Sequence, residues 1–390
     1  MTSGTGLEAR VQSAHPREHV VIEILGSNIG EGITWPLPAS KSHIIRWLML
    51  ASQSQSKMEI YHQGEIGEDV RSVVSSLNRL GAKIQMIDGK ILVGVSDVGF
   101  PIHTSEGLDL GNSGTGLRML MSLCSSLSLE TSITGDSSLR SRPFDILSDA
   151  LSAVGCDCKR SNDGSLRISG PANSGDIELD LSEGSQPLSA LLMAAPSMKA
   201  ELAVRIIGKP VSRGYLNLSY KIANLTGSEN EFSENSLIIK PWDIVLPERV
   251  DVPPERSLVP VIMLLERLHG IDLGTTVHME SELLGDAIES LHNNNMESLD
   301  LSDASDLITP AAALLAIGEG GTITGIGHVS RKESHRVNTT VELLSSFGMA
   351  AYAKDGGIME VPGGQVLVRP ETAIETYDDH RVAMTALALA

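Results

Sequence analysis

Apolar residues along this chain recur in one phrase, a short loop of small or polar residues followed at once by a dense apolar run. Ser40 opens the first instance, ahead of Trp47–Ala51; Gly111–Gly116 leads into LRMLMSL, and Gly184–Pro187 into LSALLMAA. Ser40, Asn112 and Gly184 stand 72 residues apart. A fourth instance is Pro254–Ser257 before LVPVIMLL, a fifth runs from Ser305 through Pro310 into AAALLAI, and a sixth is Tyr377–Arg381 before VAMTALALA. Each phrase predicts the start of a helix, with hydroxyl, amide or carboxylate side chains placed to cap it.

The first five instances are each followed by a second, amphipathic helical pattern: RSVVSSLNRLG, FDILSDALSAVG, YLNLSYKIANLTG, DAIESLHNNN and VNTTVELLSSFG. Four of these close on a glycine, the residue that tolerates the left-handed turn at a helix C-terminus. Short alternating segments such as ILVGV, LRISG and LIIKP lie between the helices and predict strands. The pattern is therefore six α/β units, arranged either as a solenoid or, the preferred reading, as two compact groups of three. The sixth unit is expected to be incomplete, because its first helix reaches Ala390.

At 390 residues and 41% hydrophobic content, the chain can bury two substantial cores. Its formal net charge of -19 and aromatic share of 3% argue against a nucleic-acid partner, which would be repelled and would find few stacking surfaces. Clusters of Lys and Arg in so acidic a chain carry information, since they must hold anions against the global field. Cys124, Cys156 and Cys158 make no disulfide framework and no matched metal-ligand set. Residues 1–19 are expected to be a flexible tail, no apolar run is long enough to span a bilayer, and the expected compartment is the cytoplasm.

Pro38–Arg46 is the most informative of the six phrases. With Ser42 near a helix cap, Arg46 lies about one turn further along the same face and Lys41 reaches in from the loop, so two cations, hydroxyls and free amides converge on one place. That is an anion site. The competing reading is an ordinary capped helix with solvated charges.

SKSHIIR, GNSGTGLR, SRP at 141–143, SQPLSALLMAAP, SRGY, RKESHR and YDDHRVAM together resemble the ordered landmarks of the enolpyruvyl transferases, from about residue 22 onward. Within that family the resemblance is strongest to the branch acting on shikimate 3-phosphate. It implies an α/β fold of two inside-out domains, each of three βαβαββ-like units. Residues 20–40 with 253–390 would form one domain and residues 41–252 the other. It implies the substrates shikimate 3-phosphate and phosphoenolpyruvate, with no metal or organic cofactor and a monomeric protein.

The same resemblance assigns residues. Lys41, Ser42, Arg46, Ser185, Gln186, Ser212, Asp306 and Lys332 match positions that hold shikimate 3-phosphate. Lys41, Gly114, Gln186, Arg336 and Arg381 match positions that hold phosphoenolpyruvate. Asp306, Lys332 and Glu333 match the groups that move protons. Arg118 and Arg142 match supporting arginines; helix capping is the alternative role for Ser185, and a structural role is favoured for His380.

Several positions depart from the family pattern. Ser138 stands where an arginine usually faces phosphoenolpyruvate, with Arg140 two residues away. Glu255 is the nearest counterpart of a usual aspartate, Gly184 replaces a serine, Arg213 a lysine and His335 an acidic residue. A further lysine of the family lies in a segment after the sixth unit. Two alternatives follow from the same residues: a homologue that binds shikimate 3-phosphate without efficient catalysis, and an enolpyruvyl transferase acting on UDP-N-acetylglucosamine. The latter usually shows Lys-Asn at Lys41-Ser42 and a cysteine near Ser138.

Overall fold

The computed structural model describes residues 35–230, 232–233, 235–274, 283–293, 297–331 and 334–390, together with two short strands, β1 (Ala9–Gln12) and β2 (Val21–Ile24). Those two pair antiparallel, so the stretch read as a tail contains a strand. The chain divides into two compact units, one of residues 37–255 and one of residues 1–36 with 256–390.

In the unit 37–255, one chain order is repeated. α1 (Lys41–Ser52), β3 (Met58–Tyr61), α2 (Glu68–Arg79), β4 (Lys83–Ile87) and β5 (Lys90–Gly94) come first. β6 (Leu108–Asp109), α3 (Gly114–Cys124), β7 (Thr131–Thr134), α4 (Ser137–Ser141), α5 (Asp145–Ala153), β8 (Asp157–Arg160) and β9 (Leu166–Ser169) follow. β10 (Gly175–Asp180), α6 (Gln186–Ala194), β11 (Leu202–Ile207), α7 (Arg213–Leu225), β12 (Phe232–Ser233), β13 (Ser236–Ile239) and β14 (Arg249–Asp251) complete it. The sheets run β6-β7-β9-β8, β10-β11-β13-β12 and β14-β3-β5-β4, each with its first pair parallel and the other two antiparallel. In the third of these, β14 occupies the first place, so the end of the unit supplies the strand its beginning lacks.

The same ends explain the boundary. Ala39 bridges Pro254, Ser40 N–H donates to the Pro253 carbonyl at 2.9 Å, and Glu255 N–H donates to the Pro38 carbonyl at 2.8 Å. The segments entering and leaving thus pair with each other inside this unit, which sets the division at 36/37 and 255/256 rather than at 40/41 and 252/253.

Two kinds of helix alternate. α1, α3 and α6 are apolar and buried nearly all round, and they pack on one another. α2, α5 and α7 bury one face only, as their amphipathic spacing dictates. The strands bury alternate residues: Ile177 and Leu179 of β10, and Leu202, Val204 and Ile206 of β11, with Ile177 opposite Val204.

The other unit shows the same grammar. α8 (Val259–His269), α9 (Gly285–Asn293), β15 (Ser298–Asp300), α10 (Ile308–Ile317), β16 (Gly320–Thr324), α11 (Arg336–Ser346), β17 (Tyr352–Lys354), β18 (Ile358–Pro362) and α12 (His380–Leu389) follow in order. The sheet β15-β16-β18-β17 has the parallel, antiparallel, antiparallel pattern seen three times above. α8, α10 and α12 pack on one another, while α11 keeps a solvent face. Among the described residues no helix is long and apolar enough to cross a membrane.

Candidate active site

Helix starts carry the candidate residues, because the first amides of a helix have no acceptor within it. At the start of α1, Ser40 is buried and has extended cap geometry, yet its side chain caps no amide. Its Oγ lies 2.9 Å from His43 Nδ1. Lys41 donates its backbone N–H to Glu255 Oε2 at 3.3 Å, and its Nζ pairs with Asp69 Oδ2 at 2.9 Å. Ser42 is buried in the same turn.

Arg46 lies one turn further, only 2% exposed. Its Nε donates to Ser219 Oγ at 2.7 Å, Nη1 to the Ser42 carbonyl at 2.9 Å and Nη2 to the Tyr215 carbonyl at 3.0 Å. Every one of those acceptors is neutral. Burial pulls its pKa down to about 10, the direction expected of a cation held out of water. Burial, with Arg46 and Lys221 nearby, also pulls His43 down to about 4, so that imidazole is neutral at pH 7.

Three more helix starts are tied to this one. Gln186, first residue of α6, donates from Nε2 to Thr115 Oγ1 in the first turn of α3 at 3.3 Å. Ser185 is buried and donates its hydroxyl to the Ser212 carbonyl at 2.9 Å. It makes no cap bond, so the capping role does not hold. Ser212 precedes α7 with φ 56, a left-handed conformation that costs a residue with a side chain on the order of 1–3 kcal/mol. Arg46 joins α7 back to α1 through Tyr215 and Ser219. The starts of α1, α3, α6 and α7 therefore form one hydrogen-bonded cluster, and their positive ends add.

Gly114 opens α3 under an arginine. A Cβ there would sit 2.6 Å from Arg142 Nη1 and 3.5 Å from Arg118 Nη1. Arg142 also donates to Asn112 Oδ1, while Arg118 holds the Gly114 and Pro143 carbonyls at 3.1 and 2.9 Å. Ser138 sits in α4 with its hydroxyl buried and no hydrogen-bond partner among the described residues. Arg140 is turned to the Gly135 carbonyl at 2.6 Å. Gly184 takes φ 153, which a serine would adopt only under strain. Arg213 opens α7.

In the unit 256–390 the helix starts hold charges of both signs. Arg336, first residue of α11 and 1% exposed, donates Nη1 to Asp306 Oδ1 at 2.8 Å and Nε to Asp379 Oδ2 at 2.8 Å. Asp306 lies in the single 3-10 turn Ser305–Leu307 that leads into α10. Asp379, fully buried, caps α12 through the Arg381 N–H at 2.9 Å and also accepts from Ser334 Oγ at 2.9 Å. Arg381 donates Nη2 to Ser257 Oγ at 2.6 Å, and its buried Nε has no hydrogen-bond partner among the described residues. His335 caps α11 by accepting from Asn338 N–H, which a carboxylate would also do. His380 is the first residue of α12. Lys332 and Glu333 lie outside the described residues.

Glu255, the nearest counterpart of a usual aspartate, is the last residue of the unit 37–255 and accepts the Lys41 N–H. Asp69, Asp379, Ser219 and Ser257 were given no role from the sequence. Asp379 carried a usable signal, an aspartate just before an apolar run; Asp69 in the first turn of α2 reads as a routine helix-dipole charge. No cluster of His, Cys, Asp and Glu suited to a metal occurs among the described residues. Burial pushes the thiols of Cys124 and Cys156 up to about 12 and that of Cys158 to about 11, leaving poor nucleophiles.

A sequence model of the family described as EPSP synthase (3-phosphoshikimate 1-carboxyvinyltransferase) matches residues 33–265 and 261–390. The chain belongs to the EPSP synthase family. Among curated members, the 3-phosphoshikimate 1-carboxyvinyltransferase of Methanocorpusculum labreanum is 27% identical over 376 residues, covering 90% of this chain and 87% of that one. The one from Methanothrix thermoacetophila is 30% identical over 383 residues, with coverages of 90% and 87%. The fold is shared with the solved EPSP synthase of Acinetobacter baumannii, at a TM-score of 0.69 and 20% identity over 91% of this chain and 88% of that one. Two local features stand out in this EPSP synthase family member: the Ser138 hydroxyl has no hydrogen-bond partner among the described residues, and the Arg46 guanidinium has only neutral acceptors.

Proposed function

We propose that this chain transfers the enolpyruvyl group of phosphoenolpyruvate to the 5-hydroxyl of shikimate 3-phosphate, releasing phosphate, in aromatic amino acid biosynthesis. The observation that carries the proposal is Arg46, a buried cation whose acceptors are all neutral, inside a cluster of four helix starts. Such a cluster is costly until an anion enters it. Lys41, Ser42, Arg46, Ser185, Gln186 and Ser212 would hold shikimate 3-phosphate, and Lys41, Gly114, Gln186, Arg336 and Arg381 the phosphoenolpyruvate.

The chemistry is an addition followed by an elimination. Asp306 takes the proton of the attacking hydroxyl as its oxygen bonds to the central carbon of phosphoenolpyruvate, and Lys332 and Glu333 deliver a proton to the methylene carbon. The resulting adduct then loses phosphate from the central carbon and a proton from the new methyl group, restoring the double bond. Arg336 supports this role for Asp306 by donating to one of its carboxylate oxygens.

Two inside-out domains of three βαβαββ-like units each form part of the same proposal. The buried inner helices α1, α3, α6 and α8, α10, α12 support it. A cytoplasmic monomer is also part of the proposal, and sedimentation would test its monomeric state. Ser138 favours a second reading, in which the chain binds shikimate 3-phosphate but turns over poorly, because the arginine position toward phosphoenolpyruvate holds only a buried hydroxyl. Calorimetry with shikimate 3-phosphate tests what both readings share: one-site binding is expected, and no heat of binding would reject both.

A further inference from the structure

Ser40 and Ser113 occupy the same position before two inner helices. Their backbones are alike, φ -66 and ψ 107 against φ -76 and ψ 90. Ser113 behaves as a cap and accepts the Gly116 N–H at 3.2 Å, the amide three residues on. Ser40 does not cap, although its conformation allows it. The residue three positions after Ser40 is His43, and its Nδ1 lies 2.9 Å from the Ser40 hydroxyl. In the usual capping box that third residue reaches back to the backbone of the cap; in α1 it takes the cap's side chain instead.

We propose that His43 is a positioning residue that holds the Ser40 hydroxyl off the start of α1, keeping the Ser42 and His43 amides open to an anionic group of shikimate 3-phosphate. The inference rests on the proposed function, since it concerns the anion site of that reading. Three further facts support it. The first amide of the helix, that of Lys41, is already committed to Glu255 Oε2, so an anion is left with the next two. Arg46 on α1 and Lys221 on α7 are the charged groups that face the imidazole, and with burial they keep it neutral at pH 7. A neutral ring can hold a hydroxyl without competing, as a cation would, for the anion. Ser40 is itself only 2% exposed, so its hydroxyl has few other places to turn once His43 is gone.

The test is a mutant cycle read by calorimetric titration of the full chain with shikimate 3-phosphate at pH 7.5. His43→Leu frees Ser40 to cap, and binding should weaken about tenfold, equivalent to ~1.4 kcal/mol. Ser40→Ala should bind as wild type does. Ser40→Ala/His43→Leu should recover to within about twofold of wild type, because the competing hydroxyl is gone. His43→Asn, whose amide can still reach Ser40, should bind like wild type and guards against misfolding as the cause. A His43→Leu variant that binds normally, or a double variant as weak as the single, overturns the inference while leaving the proposed function standing. Absence of binding by wild type overturns the proposed function, and the inference with it.

Discussion

Arg336 and Asp379 meet in a two-pronged ion pair, Nε to Oδ2 at 2.8 Å and Nη2 to Oδ1 at 3.4 Å, with neither side chain more than 1% exposed. The same aspartate caps α12 through the Arg381 amide, so one carboxylate fixes both arginines assigned to phosphoenolpyruvate. Arg46, in the other unit, is as deeply buried and has only neutral acceptors. The Arg336 and Arg46 sites should therefore respond in opposite ways to substitution.

Replacing Asp379 by Ala leaves a buried guanidinium short of its main partner and removes a helix cap. Breaking a buried pair from one side costs ~3–5 kcal/mol. Urea unfolding of Asp379→Ala should show a loss of that order, and a loss under 1 kcal/mol would contradict it. The double change Arg336→Met/Asp379→Leu should be the less damaging of the two, since no buried guanidinium is left short of a carboxylate and Asp306, which loses Arg336, is partly exposed to water.

Arg46→Met should have the opposite profile. It removes an unpaired buried cation and replaces it with a side chain of similar reach, so stability should stay within about 1 kcal/mol of wild type or rise. Calorimetric binding of shikimate 3-phosphate should be lost in the same protein. A sharp fall in melting temperature would instead assign Arg46 to the scaffold.

Gly114→Ala probes the start of α3. The new Cβ would lie 2.6 Å from Arg142 Nη1, the movable end of a long side chain, so the fold should yield at a cost of about 1 kcal/mol or less. The displaced guanidinium borders the proposed phosphoenolpyruvate loop. Steady-state kinetics should show a raised KM for phosphoenolpyruvate and little change for shikimate 3-phosphate.

Acid should weaken the fold through His43. Its pKa is about 4 in the folded chain against an ordinary 6.5, so below pH 6.5 the unfolded chain binds a proton that the folded chain refuses. Stability from this group is complete above pH 6.5 and is lost progressively down to about pH 4, by ~2–3 kcal/mol. Other groups titrate in the same range. The measurable quantity is therefore the difference from His43→Leu, whose stability relative to wild type should rise as pH falls from 6.5 to 4.

The repeated units were legible because each inner helix must be apolar all round and each outer helix on one face, and both patterns survive in one dimension. Ser42 and Arg46 share a face of α1 because they lie one turn apart, a spacing visible in the sequence, whereas Lys41, five residues before Arg46, turns its Nζ to Asp69. The long-range partners were not legible. Arg46 reaches Ser219, and Arg381 reaches Ser257, 173 and 124 residues away in sequence, and no local pattern reports such pairings. Glu255 stands four residues before α8 in sequence, yet its backbone pairs with Pro38, more than 200 residues away, a contact that no local pattern reports. Ser40 and Ser113 stand alike before apolar runs, with Ser42 the residue expected near the cap of α1, and the position of the His43 ring separates the two helix starts.

The central claim is tested most directly by following phosphate release from the chain mixed with both shikimate 3-phosphate and phosphoenolpyruvate. The account predicts stoichiometric phosphate and an enolpyruvyl ether product, neither appearing when one substrate is omitted. Tight binding of shikimate 3-phosphate with no phosphate released from the pair would contradict it and identify a binding protein built on the enzyme's fold.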